Sequence, residues 1–346
     1  MDQLTLFILL TGIVTGTLTT LSSSHWLIAW AGLELNSFAI IPLMARHHHP
    51  RRIEAATKYF LMQATGAAML LFAATSNAWL TGEWNIAITS HPFSASLAFL
   101  ALSLKLGLAP LHTWMPEVMQ GIDLNTGLAL STWQKIAPFI LMMQLHVPDL
   151  APLMVGLLST VIGGWGGLGQ TQLRKLIAYS SIAHLGWMVL VLFLHPPLAI
   201  FALCIYFIST FAVFLTFSYY SSLTMNSLAS TSSVNPVMAV FLALLLFSLA
   251  GLPPLTGFGP KWLILYTLSS NGLPLFATIA ALSSLLSLFF YARLSYALAL
   301  LVPPNISSTS APWRLPPRST LHLCTASVLG TLLLPLTPLA NILTSF

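Results

Sequence analysis

Gly107-Leu-Ala-Pro110-Leu-His-Thr-Trp114-Met-Pro116 and Gly251-Leu-Pro-Pro254-Leu-Thr-Gly-Phe258-Gly-Pro260 are one pattern written twice. Both read G-L-x-P-L-x-x-(aromatic)-x-P, at a constant offset of 144 residues (251 − 107 and 260 − 116). Each interrupts an apolar stretch that would otherwise continue as a helix. A proline lacks the backbone donor and clashes with the carbonyl one turn earlier, so each copy predicts a broken helix. Non-helical backbone at membrane depth is tolerated only where it is buried in protein or lines a wet cavity. Two matching breaks therefore predict two polar half-channels. Ordinary proline kinks are the plainer alternative, and five identities in ten letters argue against it.

The surrounding composition makes lipid the natural solvent. Of 346 residues, 12 are Lys or Arg and 7 are Asp or Glu, while 57% are hydrophobic. A soluble domain carries about a quarter charged residues and could not cover itself with so few. The sequence pI of 9.4 could suggest a polyanion. The basic residues sit mostly in short connections, however, so topology explains them and a nucleic-acid partner is not expected. Cys204 and Cys324 lie far apart in apolar segments with no CxxC pair, which argues against an iron–sulfur, zinc or thiol-redox site. The first twenty residues contain no Lys or Arg, so neither a transit peptide nor a signal peptide with a basic start is read there. A chain this hydrophobic without a presequence is either made inside an organelle or bacterial.

About eleven spans of roughly 20 residues follow from the apolar runs. They are 3–22, 25–44, 55–80, 93–121, 124–145, 150–170, 175–194, 197–221, 236–270, 274–300 and 322–344. The fourth and ninth carry the two breaks. They stand five spans apart, an odd offset, so the second copy is expected to enter the membrane from the opposite face. The expected fold is an all-α integral membrane protein, 1–346 as a single membrane domain. Residues 1–145 would form a first inverted repeat of five helices, 150–300 a second, and 322–344 an extra C-terminal helix. Arg46, Arg51, Arg52, Arg174, Lys175, Arg314 and Arg318 fall in connections on one side. The other side's connections hold Glu83 and Asp149 and no basic residue, which puts the N-terminus on the basic side.

Several conspicuous features have bland readings. His47, His48 and His49 lie in a Pro/Arg-rich connection and are read as solvated. Gly164-Trp-Gly166-Gly-Leu-Gly169 matches GxGxxG, but no strand precedes it and no acidic residue follows at the required distance. Small residues at Gly12/Gly16 and Gly163/Gly167 suit close helix packing in lipid. Asn305-Ile-Ser307 is a glycosylation triplet on the basic side.

The charges inside the spans are harder to dismiss. Each costs about 2.5–3.5 kcal/mol at a helix centre on insertion scales and is a functional candidate by default. Glu34 is mid-span, Lys105 precedes the first break, Lys135 is central in the fifth span, and Lys261 follows the second break. His184 is a fifth polar group, falling roughly where Glu34 sits in the first half. Burial disfavours a lysine's charged form and a nearby carboxylate favours it, so Glu34 could control Lys105. A route Lys105, Lys135, His184, Lys261 is then expected for protons. A plainer alternative makes Glu34–Lys105 a buried salt bridge that fixes packing. His112, inside the first break, is either a proton relay or a hydrogen-bond plug for freed carbonyls. Glu117 and Asp123 could guard an opening, Glu54–Lys58 reads as a structural i,i+4 pair, and Arg293 as a snorkelling residue.

The stretch Gln170-Thr-Gln-Leu-Arg174-Lys-Leu-Ile-Ala-Tyr179-Ser-Ser-Ile-Ala-His184-Leu-Gly186, with Pro110-Leu-His-Thr-Trp-Met-Pro116, resembles the signature of the antiporter-like subunits of respiratory complex I. The resemblance covers essentially the whole chain. It implies a fourteen-helix fold with two inverted five-helix repeats; about eleven spans would match the animal mitochondrial form, which lacks the first three helices. It implies that Glu34–Lys105 is the controlling pair, that Lys135 and His184 belong to a central polar axis, and that Lys261 faces an exit half-channel. Flavin, iron–sulfur clusters, NADH and ubiquinone are expected in other subunits, and no cofactor or metal in this chain. The implied partners are other membrane-arm subunits and lipids such as cardiolipin, in the mitochondrial inner membrane with the basic loops facing the matrix. A cation/proton antiporter and a structural subunit with a vestigial polar axis remain the competing readings.

Overall fold

A computed structural model describes residues 2–46, 49–89, 91–147, 150–232, 236–300 and 321–332. Among them the chain is helical, with two isolated β-bridges and no strand. It divides between Leu158 and Ser159 into two compact units.

The first unit opens with α1 (Gln3–Ser22), α2 (Trp26–Met44) and α3 (Pro50–Thr81). After a short 3-10 turn come α4 (Pro92–Leu106), α5 (Trp114–Gly121), α6 (Leu124–Ser131) and α7 (Trp133–Met143), then α8 (Leu150–Gly167), which crosses the division. The second unit holds α9 (Leu173–Val191), α10 (Pro196–Tyr220), α11 (Met225–Ser232), α12 (Pro236–Ala250), α13 (Phe258–Ser270), α14 (Pro274–Leu300) and α15 (Leu321–Leu332). Six of these, α1, α2, α3, α8, α10 and α14, are long and apolar enough to cross a membrane.

The expected fourth and ninth spans are each two helices. Both α4 and α12 run fifteen residues from a proline, which suits a first helical position because its missing donor has no partner there anyway. Fifteen residues rise about 22 Å, short of a hydrocarbon core of roughly 30 Å. Each helix stops at a glycine with left-handed backbone, Gly107 (φ 75°) and Gly251 (φ 85°). The fifth span differs from expectation. It breaks at Thr132 (φ −115°, ψ −73°) into α6 and α7 instead of running through 124–145. Pro138 lies inside α7, where it cannot donate to the Gln134 carbonyl. The connection before the ninth span contains α11, which hydropathy did not suggest. Of the last expected span only 321–332 lies within the described residues. Arg314, Arg318, His47, His48, Asp149 and the Asn305 triplet lie outside them.

Close packing uses small residues, as the glycine pairs suggested. A Cβ on Gly16 would stand 2.9 Å from both the Asn36 nitrogen and the Gly32 oxygen, so α1 and α2 meet backbone to backbone. A Cβ on Gly163 would meet the Ala183 nitrogen at 2.6 Å, joining α8 to α9. Each unit also pins its second helix to the connection after its third. His25 bridges Asn85 in the first unit, and Gln172 bridges Thr224 in the second.

Candidate functional site

The first break is built from the end of α4. The Gly107 amide bonds the Leu104 carbonyl at 3.1 Å and the Leu108 amide bonds Ser103 at 2.9 Å. That pair of reversed bonds closes the helix and is available because Gly107 adopts a left-handed conformation. Two side chains add further donors, one a second bond to Leu104 and one to Lys105. The Trp114 indole N–H donates to the Leu104 oxygen at 3.1 Å, and the Gln63 amide of α3 donates to the Lys105 oxygen at 3.4 Å. Lys105, in the last turn of α4, is 6% exposed.

Lys105 and Lys135 line one cavity of about 20 Å³, room for a single water. The fifth-span break puts Lys135 in the first turn of α7, its amide bonded to the Thr132 carbonyl at 3.2 Å. Asn36, Ser37, Tyr59, Gln63, Trp114 and Gln134 complete the polar wall. The Gln134 amide donates to the Asn36 side-chain oxygen at 2.8 Å, which fixes two of these groups across α2 and α7. Glu34 stands beside this wall. Its Oε2 accepts from the Ser37 hydroxyl at 3.2 Å, and it acts electrostatically on both Lys105 and Tyr59. Among the described residues, no salt bridge joins Glu34 to Lys105. The packing-bridge alternative therefore has no contact to rest on.

The second break closes its helix with the same pair of hydrogen bonds. The Gly251 amide bonds Ser248 at 3.0 Å and the Leu252 amide bonds Phe247 at 3.3 Å. Its capping donor is different. Lys261, from the first turn of α13, donates to the Leu249 carbonyl at 3.2 Å and the Ala250 carbonyl at 2.7 Å. Lys261 and His184 line a second cavity of about 20 Å³ with Tyr206, Ser209 and Ser248. The His184 ring rests on Tyr206 with centroids 5.4 Å apart.

The ionisable residues expected from sequence thus fall into two groups: Lys105 and Lys135 with Glu34 at the edge, and His184 with Lys261. One expectation needs correcting. Counted from the starts of α2 and α9, both nineteen residues long, His184 occupies the place of Ser37, one turn beyond Glu34. Ser181 matches Glu34. His112 lines neither cavity. Its Nδ1 lies 3.2 Å from the Pro110 oxygen, and because a carbonyl only accepts, that nitrogen donates.

The remaining charges bind one another or the backbone. Arg52 pairs with Asp123 at 2.6 Å, and Lys58 joins Glu54 at 2.8 Å and Glu117 at 2.9 Å, tying the start of α3 to the end of the α5 segment. Arg293 has a structural role. It donates to the Leu168 carbonyl at 2.6 Å and to Gln170 at 2.5 Å, clamping α14 to the α8–α9 connection. Eight polar wall residues escaped the sequence reading: Asn36, Ser37, Tyr59, Gln63 and Gln134 in the first unit, and Tyr206, Ser209 and Ser248 in the second. Pro138, one turn after Lys135, was the available signal that the fifth span is also broken.

Buried lysines beside paired breaks in a helical membrane unit define a class of ion-translocating membrane protein. The chain belongs to the NADH:quinone oxidoreductase/Mrp antiporter transmembrane family, whose profile matches residues 23–287. A second profile, NADH dehydrogenase subunit 2 C-terminus, matches residues 288–341. The chain is 57% identical over 341 residues to NADH-ubiquinone oxidoreductase chain 2 of Oncorhynchus mykiss, covering 98% of each chain. It is equally identical over 341 residues to the chain 2 of Tetraodon nigroviridis, covering 98% of this chain and 97% of that one. Among solved structures it resembles a chain of respiratory complex I from Thermus thermophilus. That match has a TM-score of 0.86 at 27% identity, over all of this chain and 80% of the other.

Proposed function

We propose that this chain is a membrane-arm subunit of an NADH:ubiquinone oxidoreductase that moves protons through its buried Lys, Glu and His residues. The observation that carries this reading is the grouping of ionisable side chains at two like helix breaks. Each break supplies a wall of carbonyls and hydroxyls, and each cavity has room for a water that can pass a proton between nitrogen atoms. In the first unit Lys105 and Lys135 exchange the proton, and Glu34 biases Lys105 from the cavity edge. In the second, His184 and Lys261 do so. Transport against a potential costs about 2.3 kcal/mol per charge per 100 mV, so the drive comes from redox chemistry in other subunits. Flavin, iron–sulfur clusters, NADH and ubiquinone belong there.

The constant offset between α4 and α12, and between their breaks, supports two inverted repeats, with the fifth-span break as an asymmetry. The basic connections Arg46–Arg52 and Arg174–Lys175 support a matrix-facing side in the inner mitochondrial membrane. Neighbouring membrane-arm subunits and lipids such as cardiolipin would cover the apolar faces, including Leu4, Phe7 and Ile8 of α1.

Lys105→Met in the assembled complex tests the reading. The complex is expected to assemble with proton pumping lost; unchanged pumping at full occupancy would sink it. The fold is also shared with the Mrp complex from Dietzia, at a TM-score of 0.83 and 18% identity, a likeness of fold alone. A sodium dependence of transport would favour a cation/proton antiporter instead.

A further inference from the structure

We infer that α15 is a strap on the second break, and that Thr256 is the positioning residue through which it sets Lys261. The inference rests on the proton-transfer reading of that site and deepens it.

The strap is a buried hydrogen bond. The Thr256 hydroxyl donates to the Gly330 carbonyl at 2.7 Å, across 74 residues of chain. Thr256 is 2% exposed and stands in the leg between the second break and α13. A buried hydroxyl without a partner is costly, so a bond of some kind is expected. Its direction is the informative part. Ser209, Thr216, Ser248 and Ser283 each donate to a carbonyl three residues back in their own helix. Thr256 instead reaches a distant helix. Gly330 is also where α15 comes close to the cavity frame. A Cβ there would stand 2.6 Å from the Leu245 side chain of α12, and 3.8 Å from the Ser209 backbone of α10. Ser209 lines the second cavity. One glycine of α15 therefore meets α10, α12 and the leg into α13.

That leg decides where Lys261 stands. Gly257 follows Thr256, and a Cβ on it would overlap the Ser248 carbonyl oxygen, so the leg lies directly on the end of α12. Helix α13 begins at the next residue, with Lys261 in its first turn. A shift of the leg carries α13 with it and lengthens the Lys261 bonds to the Leu249 and Ala250 carbonyls. The first break is held differently. His112 is the counterpart of Thr256 in the motif (256 − 112 = 144), and its Nδ1 bonds Pro110 within the same turn. The antiporter profile ends at residue 287, and α15 falls within the subunit 2 C-terminus profile. The strap thus belongs to the part of the chain outside the shared antiporter profile.

Thr256→Val in the whole assembled complex tests this, because it removes the hydroxyl and keeps the shape. Protons pumped per electron, measured in vesicles per assembled complex, should fall about fivefold, the population change that loss of one ordinary hydrogen bond brings. Thr256→Ser keeps the hydroxyl and should restore pumping. Gly330→Val attacks the same bond from α15. The double variant should pump no worse than either single one, which independent packing losses would not give. Normal pumping in Thr256→Val, with Lys261→Met still lowering it, overturns the strap alone. Additive losses in the double variant overturn it too, because two separate packing defects then suffice. If Lys261→Met leaves pumping unchanged, the underlying site reading fails instead.

Discussion

The two helix breaks share their closing hydrogen bonds and divide the work differently. In each, a left-handed glycine closes a fifteen-residue helix with the same two reversed hydrogen bonds. At Gly107 neutral donors, Trp114 and Gln63, cap the freed carbonyls, so Lys105 is spared that duty and faces the cavity. At Gly251 the lysine is itself the cap. The shift of the charge across the break explains this. Lys105 precedes its glycine, whereas Lys261 follows the second proline of its motif. Its first-unit counterpart at that place is Glu117, which pairs with Lys58. One way of closing a helix therefore goes with a lysine on the cavity wall in one unit and a lysine anchored by carbonyls in the other.

That contrast can be broken most severely at Lys135. Lys135→Met should abolish proton pumping while the complex assembles, because Lys135 is 3% exposed on the shared cavity and no other described cation there can replace it beside Lys105. Retained pumping in a vesicle assay would show that the first cavity is not a relay. The next effect separates the two lysines by stability. Lys261→Met leaves two carbonyls without their donor, at about 1–3 kcal/mol each. Lys105→Met leaves both caps of its break in place. Thermal melting of the assembled complex should therefore fall clearly for the first and little for the second, and equal losses would remove the distinction. Trp114→Phe should cost only about 1 kcal/mol, because the Leu104 carbonyl keeps its bond from the Gly107 amide; a loss as large as that of Lys261→Met would mean that the indole carries more than its hydrogen bond. The smallest effect is expected at Lys58→Met. Its partners Glu54 and Glu117 are well exposed, and such pairs contribute little, so complex abundance on a native gel should not change.

Much of the architecture was legible because membrane solvation is a blunt constraint. Apolar runs placed α1, α2 and α14 to within a residue or so, and the proline–glycine motifs located both breaks. The fifth span was misread because its eight-residue α6 and eleven-residue α7 are continuous in hydropathy. Only Pro138 hinted at the division, and prolines are tolerated inside spans when neighbours satisfy the freed groups. The repeat puts His184 only roughly level with Glu34, and helix register sets it at the place of Ser37. Tyr59 and Tyr206 were invisible because one buried tyrosine among many phenylalanines carries no signal until its cavity is known.

By itself the sequence determined that this chain lives in lipid, that its helices break at two repeated motifs, and that five ionisable groups stay inside at a free-energy cost. Those conclusions follow from transfer energies and backbone donors, which depend on residue type and local order. Which groups meet was decided by tertiary structure alone. Lys105 with Lys135, His184 with Lys261, and a lysine as helix cap at one break only are consequences of register and of packing between distant helices. A side chain's partners across a cavity are set by where neighbouring helices stop and turn, and no local pattern encodes that.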